Sequence, residues 1–186
     1  MREIERKESE ALLAVTERLI DETRVDQRFT ADDIQRMHRL WLGEIYVWAG
    51  EYRQLNVSKG GFMFAAASQR PRPMDQLERG PLSEYTPCSF AEPDERAAAL
   101  AVVHAELILI HPFREGNGRC SRLLAILTGL QAGLPALDFV GIRGKKKTGY
   151  IAAIHAAVGR NYAPMAELFN SVVARTLKSM TKPSSR

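Results

Sequence analysis

The stretch EPDERAAALAVVHAELILIHPFREGNGRCSRLLAILTGLQAG, residues 92–133, contains two long apolar segments separated by a short polar loop. The first segment begins with a proline and acidic residues, is rich in alanine and leucine, and is apolar on every side in its later half. This pattern predicts a buried central helix. The second segment is also apolar and stops at Gly133, as a helix C-terminus often does. Two buried helices joined by a loop therefore form the centre of the predicted fold.

Further helices are predicted on both sides of this centre. Apolar residues recur at roughly helical spacing near the N-terminus, which predicts an amphipathic helix of about five turns. Thr30 has the character of an N-cap for a helix over residues 31–50, with Gly50 at the stop. Two more helices are expected over residues 148–160 and 162–180. Four prolines within residues 71–90 limit that segment to a short helix at most.

A small β-hairpin is predicted between the second helix and the proline-rich segment. Residues alternate around Leu55 and Val57, a turn-forming Gly60-Gly61 pair follows, and the run Phe62-Met63-Phe64 is apolar. The predicted fold class is therefore all-α, a helical bundle with one small hairpin.

Composition is that of an ordinary globular domain. Of the 186 residues, 45% are hydrophobic and 26% are charged, with a formal net charge of +4. We expect one domain over residues 1–180 and a disordered tail over 181–186. The positive charge fits an anionic ligand or an acidic partner, but it is also typical of a solvated surface. Neither nucleic acid nor a membrane is expected as a partner.

The cysteines and the apolar runs indicate the cellular location of the protein. Cys88 and Cys120 form neither a disulfide framework nor a CxxC pair, so a reducing compartment and no structural zinc are expected. The first residues are charged and lack an apolar signal core. The longest apolar runs fall far short of the ~20 residues that cross a bilayer. These features predict a cytoplasmic location, although export without a signal would leave no trace in the sequence.

The loop His111–Arg122, HPFREGNGRCSR, gathers the groups that bind phosphates. A proline ends the preceding helix, and Gly116 and Gly118 permit a backbone path that turns N–H groups toward a ligand. The next helix presents its positive N-terminal end at the same place. Arg119 and Arg122 are three residues apart and share one face of that helix. A chain of phosphates is the ligand that matches these groups best.

Glu115 and His111 add reactive chemistry to that loop. A carboxylate among positive groups is suited to holding Mg²⁺, which prefers one or two carboxylates plus phosphate oxygens. A histidine can accept a proton near neutral pH. Together they suggest transfer of a phosphorus-centred group onto a hydroxyl, with positioning and charge stabilisation providing most of the catalysis. The alternative interpretation is a helix-connecting loop with an N-capping asparagine and solvent-facing arginines.

Other motifs do not fit this chain. It lacks the GxxxxGK[ST] loop and the HRD and DFG elements of kinases. The GNG sequence follows a helix, unlike the glycines of a Rossmann turn. His104 lies near Glu106 in an apolar helix without an HExxH motif, so a core histidine is expected there instead of a metal ligand. His38 and His155 are also interpreted as structural.

The loop HPFREGNGRCSR resembles the signature of the Fic family. That signature is a histidine, one residue, phenylalanine, one residue, an acid, then GNGR and a second arginine three residues further. Every defining position matches. A weaker resemblance extends to WLGEIYVWAGEYR before the hairpin and to YAPMAELF near the end, so it covers most of the chain. The resemblance implies a Fic-type helical bundle in which the hairpin is a flap.

The resemblance also implies an enzyme that transfers AMP from ATP to a hydroxyl side chain of a target protein and releases pyrophosphate. ATP would be the co-substrate and Mg²⁺ the cofactor. By position, His111 would be the general base that deprotonates the target hydroxyl. Glu115 would hold Mg²⁺ between the phosphates, and Phe113 would anchor the loop in the core.

The phosphate site implied by the resemblance lies at the start of the helix. Gly116, Asn117 and Gly118 would form the anion hole, and Arg119 and Arg122 would bind the β and γ phosphates. The related Doc toxin has a lysine where Gly118 stands and transfers the γ-phosphoryl group instead. Gly118 therefore favours nucleotidyl transfer over phosphoryl transfer.

The hairpin resembles the family's flap, formed here by Lys59, Gly60, Gly61, Phe62, Met63 and Phe64. An exposed strand edge can pair with a strand of a target protein and hold its hydroxyl in line with the α-phosphate. The alternative is a hairpin that covers the core and does nothing more.

The sequence lacks the segment that commonly restrains Fic proteins. That segment is a Ser or Thr, three residues, a Glu, then Gly or Asn, and no Ser or Thr in this chain precedes a Glu at that spacing. We therefore expect a small antitoxin-like inhibitor to act in trans at Arg122, with oligomerisation as the alternative restraint. Two further functions stay open, namely Doc-like phosphoryl or other nucleotidyl transfer and a catalytically weak, toxin-like binding module.

Overall fold

The computed structural model describes residues 2–59, 62–66, 72–142 and 145–181. Within these ranges the regular secondary structure is helical apart from one short strand pair, so the predicted all-α class is confirmed. In chain order the elements are α1 Arg2–Glu22, α2 Ala31–Leu42, β1 Ser58–Lys59, β2 Phe62–Met63, α3 Arg72–Leu77, α4 Ser83–Tyr85, α5 Pro93–Ile110, α6 Asn117–Gln131, α7 Lys145–Val158 and α8 Ala163–Met180. The predicted tail, beyond Thr181, lies outside the described residues.

The second helix is shorter than predicted. Thr30 is its N-cap and forms a capping box with Asp33, as expected, but α2 ends at Leu42 and not near Gly50. Gly50 instead folds back, and its N–H donates to Nδ1 of His38 at 2.8 Å. A continuous helix would place these two residues about 18 Å apart, at 1.5 Å per residue. The helix must therefore end well before Gly50, so that the chain can fold back and bring Gly50 to His38.

The proline-rich segment is more helical than predicted. It forms α3, a π-helical turn over Glu78–Leu82 and then α4, so the run extends from Arg72 to Tyr85. Pro81 lies inside the π-helical turn. A proline has no N–H to donate and crowds the carbonyl four residues earlier, and the wider π turn accommodates both effects. Counting prolines underestimated this helix for that reason.

The predicted hairpin is confirmed as an antiparallel pair in which Ser58 faces Met63 and Lys59 faces Phe62. Its turn, Gly60-Gly61, lies outside the described residues. The strand pair lies between α2 and α3 in the chain.

The core has two parts that share α5 and α6. One apolar cluster joins these helices to α1, α2 and α3 and includes the buried rings of Phe29, Trp41 and Phe113. The other joins them to α7 and α8 around Met165 and Phe169. Because α5 is covered on both sides, it is apolar all round, as its sequence predicts. The loop that follows α5 is anchored in the first of these clusters by Phe113.

No helix in the described part of the chain has both the length and the apolar character needed to cross a membrane.

Candidate active site

His111 ends α5 in a left-handed conformation. Its φ and ψ are 50° and 59°, and its N–H donates to the carbonyl of Leu107. The ring Nδ1 lies 3.2 Å from the carbonyl oxygen of Ile108. Because a carbonyl oxygen can only accept, the proton of the neutral ring is on Nδ1. Nε2 is then the basic nitrogen, as the role of general base requires.

Asn117 closes the loop between α5 and α6. Its Oδ1 accepts from the N–H of Phe113 at 2.8 Å, and its Nδ2 donates to the carbonyl of Phe113 at 2.9 Å. Both residues are buried, and Phe113 is the core anchor that the sequence predicts. The amide oxygen and one amide hydrogen of Asn117 thus close the loop, and its backbone N–H remains available to an anion hole.

Gly116 makes the turn into α6. Its φ of 81° lies in the left-handed region that favours glycine. A Cβ at this position would stand 2.6 Å from Cζ3 of Trp41, which is too close for any side chain. Both the backbone conformation and the packing against Trp41 thus require a glycine.

His38, on α2, packs against the loop and forms a hydrogen bond with it. Its ring stacks on Phe113 with centroids 3.9 Å apart and 14° between the planes. Nε2 donates to the carbonyl of Glu115 at 3.0 Å, while Nδ1 accepts from Gly50. Burial lowers the pKa of His38 to about 4, so the ring is neutral at pH 7. The prediction of a structural role is confirmed, and its contacts show that the structure it supports is the signature loop.

Glu115 is the exposed carboxylate of the loop. Its side chain is 64% exposed, and its Oε1 lies 3.6 Å from Nη2 of Arg119. Oε1 also accepts from the N–H of Gly116 at 2.8 Å, whereas Oε2 bonds to nothing in the described part of the chain. The residue borders a cleft of about 440 Å³ between α1 and α6. One free carboxylate oxygen beside an open cleft fits a Mg²⁺ ion.

No group of three or more His, Cys, Asp or Glu side chains suited to a metal occurs among the described residues. A cation at Glu115 would therefore take its other ligands from water and from the substrate, which is the arrangement that Mg²⁺ adopts with nucleotide phosphates.

Arg119 already has a carboxylate partner. Its Nη1 donates to Oε2 of Glu8 on α1 at 2.7 Å, and the guanidinium carbon lies 4.6 Å from the ring centroid of Trp41. Glu8 also accepts from the hydroxyl of Tyr46. Burial alone would raise the pKa of Glu8, but the hydrogen bonds from Tyr46 and Arg119 outweigh it and the pKa is lowered. The Glu8 carboxylate is therefore charged at neutral pH.

Arg122 differs from Arg119 in having no such partner. In the ranges that the structure describes, its guanidinium neither forms an ion pair nor donates to an oxygen, and the N–H groups of Asn117 and Gly118 also lack an acceptor. Nη1 of Arg122 lies 3.6 Å from the position that a Cβ on Gly118 would take. Burial lowers the pKa of Arg122, but an arginine remains charged. These donors cluster at the positive end of α6.

His104 is a buried residue of α5. Its Nδ1 is 2.8 Å from the hydroxyl of Ser121, and its Nε2 is 2.8 Å from the hydroxyl of Tyr150. Burial lowers the pKa of His104 to about 3 and raises that of Tyr150 to about 12, so both are neutral. The predicted core histidine is confirmed, and its polar atoms are all used.

The hairpin lies over His111. The ring of Phe64 stacks on the His111 ring with centroids 3.8 Å apart and 18° between the planes. Phe62 stacks in the same way on His155, at 5.1 Å. The side chain of Met63 is exposed. This location is the one expected of a flap, while docking of a target strand stays a prediction.

Several supporting residues were not identified from the sequence. Glu8 could have been found, because it occupies the apolar face of α1 four residues after Ile4 and four before Leu12. A carboxylate at such a position needs a partner. Trp41 and Arg53 gave no comparable signal, since their partners are far away in the sequence.

Known proteins are similar to this chain in sequence and in fold. The model of the Fic/DOC family matches residues 28–128, more than half of the chain. Protein adenylyltransferase fic-1 of Caenorhabditis briggsae is 35% identical over 127 residues, which are 68% of this chain and 24% of that protein. The chain thus spans about a quarter of the length of that relative.

Solved structures agree with this match. BepC of Bartonella tribocorum, a translocated effector with bound AMPPNP, superposes with a TM-score of 0.76 at 24% identity, covering 92% of this chain and 86% of that one. The N-terminal Fic domain of a Bep effector from Bartonella quintana, with bound ADP, gives a TM-score of 0.68 at 28% identity, covering 90% and 85%. Signature, fold and family model agree, and the chain belongs to the Fic/DOC family.

Proposed function

We propose that this chain is a protein adenylyltransferase, which transfers AMP from ATP to a Ser, Thr or Tyr hydroxyl of a target protein and releases pyrophosphate. The main support is the start of α6, where Arg122 and the N–H groups of Asn117 and Gly118 lack acceptors within the described chain. Unsatisfied donors at a helix N-terminus suit an anion. The relative named above is an adenylyltransferase, and two neighbours hold adenine nucleotides.

His111 would act as the general base. The target hydroxyl oxygen bonds to the α-phosphorus while its proton passes to Nε2 of His111. The bond from the α-phosphorus to the bridging oxygen breaks, and pyrophosphate leaves with that electron pair. The amides of Asn117 and Gly118 and the guanidinium of Arg122 would stabilise the negative charge that develops on the phosphates.

Glu115 would hold Mg²⁺ through its free carboxylate oxygen, while its other oxygen stays on the N–H of Gly116. When bound, Mg²⁺ supplies positive charge that neutralises the phosphate oxygens.

Transfer of label from ATP tests the proposal. Incubating the chain with a cell lysate and ATP labelled at either the α or the γ position should give protein labelled from the α position alone, and His111→Ala should abolish it. Labelling from the γ position alone would instead indicate Doc-like phosphoryl transfer. Absence of labelling with every nucleotide would indicate a binding module.

Gly118→Lys should weaken α-label transfer by filling the anion hole, and an undiminished rate would contradict this assignment of Gly118.

We propose in addition that restraint comes from a separate small protein whose carboxylate binds Arg122. The support is the contrast between the two arginines, since Arg119 is paired with Glu8 and Arg122 has no acidic partner in the described chain. The chain expressed alone should therefore label proteins without any activating treatment. An isolated chain that labels proteins only after an activating treatment would contradict this partner.

A further inference from the structure

Arg53 is a buried arginine that lies outside the signature. It is 2% exposed. Its Nε donates to the carbonyl of His111 at 2.7 Å, and its backbone N–H donates to the carbonyl of Pro112 at 2.8 Å. The same guanidinium donates to the carbonyls of Leu55 and Ala65, each at 2.5 Å. One side chain thus binds three backbone segments, its own at Leu55 and two others at Ala65 and His111.

Two of these segments are the ends of the hairpin. Leu55 precedes β1 and Ala65 follows β2, so the planar guanidinium closes the base of the hairpin. The N–H of Ala65 also donates to the carbonyl of Leu109 in α5 at 3.4 Å, and the N–H of Phe64 donates to that of Val57 at 3.2 Å. The hairpin is therefore joined to the end of α5 by Arg53 and by a backbone hydrogen bond.

The third segment is His111 itself. Its left-handed φ of 50° is unfavourable for a residue with a side chain and persists only where the surroundings hold it. Arg53 holds the carbonyl of His111, while Phe64 of the hairpin stacks on the ring. The backbone and the ring of His111 are thus both fixed by groups that Arg53 binds or orders.

We infer that Arg53 is a positioning residue that couples the hairpin to the catalytic base. It sets the distance between a target strand paired with the hairpin and Nε2 of His111. A guanidinium suits this task because its fork of five donors is planar and stays charged. The inference rests on the proposed function, because the distance matters only if a hydroxyl docked at the hairpin is deprotonated by His111.

Arg53→Lys is the direct test, since lysine keeps the charge but loses the planar fork. With α-labelled ATP and lysate proteins as acceptors, the initial rate at saturating ATP should fall about 10- to 100-fold, as expected for a small misplacement of reacting groups. Affinity for AMPPNP, measured by calorimetry, should change less than about threefold, because the phosphate site is built from other residues. Amide exchange at Phe64 and Ala65 should become faster than in the unaltered chain.

Arg175→Lys is the matched control. Arg175 also donates to a backbone carbonyl, that of Asp138, but it lies on α8 away from the hairpin. The Arg175→Lys variant should have a lower melting temperature but an unchanged rate of AMP transfer. The inference is overturned if both variants lose rate in proportion to their loss of melting temperature, or if Arg53→Lys loses AMPPNP affinity as steeply as rate.

Phe64→Leu provides a second variant, needed if Arg53→Lys does not fold. It removes the ring that stacks on His111 while leaving Arg53 in place, and it should lower the rate with AMPPNP affinity retained. An unchanged rate would overturn the coupling. If the unaltered chain transfers no label, the proposed function has failed, whereas unchanged amide exchange at Phe64 and Ala65 in Arg53→Lys would refute the structural link by itself.

Discussion

Replacing Gly116 by alanine should destabilise the protein through two separate effects. A residue with a Cβ is strained at a φ of 81°, which costs about 1–2 kcal/mol. The new Cβ would also stand 2.6 Å from Cζ3 and 2.9 Å from Cη2 of Trp41. Trp41 is a rigid, fully buried ring, so overpacking should cost about 1–3 kcal/mol more. We expect the free energy of unfolding to fall by about 2–5 kcal/mol in total.

Gly133 provides the matched control for this prediction. Its φ is 74°, but a Cβ there would meet no atom within 4 Å. Gly133→Ala should therefore cost the backbone strain alone, about 1–2 kcal/mol. Urea unfolding followed by tryptophan fluorescence measures both changes, provided that the slope m stays constant. If the two variants lose the same stability, Trp41 does not oppose a side chain at Gly116 and the steric reasoning is refuted.

Three further outcomes are expected in the same unfolding assay. Burial lowers the pKa of His38 to about 4 and that of His104 to about 3. Because unfolding then takes up protons below pH ~6.5, the free energy of unfolding should decrease as the pH is lowered. The decrease should reach about 2 kcal/mol per histidine at pH 5. His38→Gln, which keeps a donor and an acceptor, should remove about half of that fall, and an unaltered pH profile would contradict the assignment. Gly118→Ala should raise stability by about 0.5–1 kcal/mol, because no neighbour is closer than 3.6 Å, yet weaken AMPPNP binding in calorimetry. Glu8→Gln puts an amide against Arg119 and should cost about 1–3 kcal/mol; no loss would show that the ion pair does not contribute.

The signature loop was predictable because its interactions are local in sequence. The bonds between Asn117 and Phe113 span four residues, and the turn at Gly116 is set by one φ angle. The long helices followed from hydrophobic periodicity, which depends on near neighbours in the same way. Twelve consecutive residues were therefore enough to predict which part of the chain would bind phosphates.

The partners in the supporting contacts were not predictable because these contacts join distant parts of the chain. Glu8 and Arg119 are 111 positions apart, and Arg53 is 58 positions from the carbonyl of His111. Propensity also misled in the segment around Pro81, since proline is unfavourable in an α-helix but acceptable in a wider turn. Tertiary contacts decided the first two outcomes, and the wider backbone turn decided the third.

The paired hydrogen bonds between Asn117 and Phe113 also bear on how fast a nucleotide would bind under the proposed function. Because the loop is already closed by its own side chain, little conformational entropy remains to be lost when phosphates arrive. No slow rearrangement of this loop needs to precede binding, so the association rate should be set by diffusional encounter and by the attraction between an anion and the positive end of α6. Under the proposed function, nucleotide capture by such a loop should depend on ionic strength, and the arrival of the target protein would be the slower, selective step.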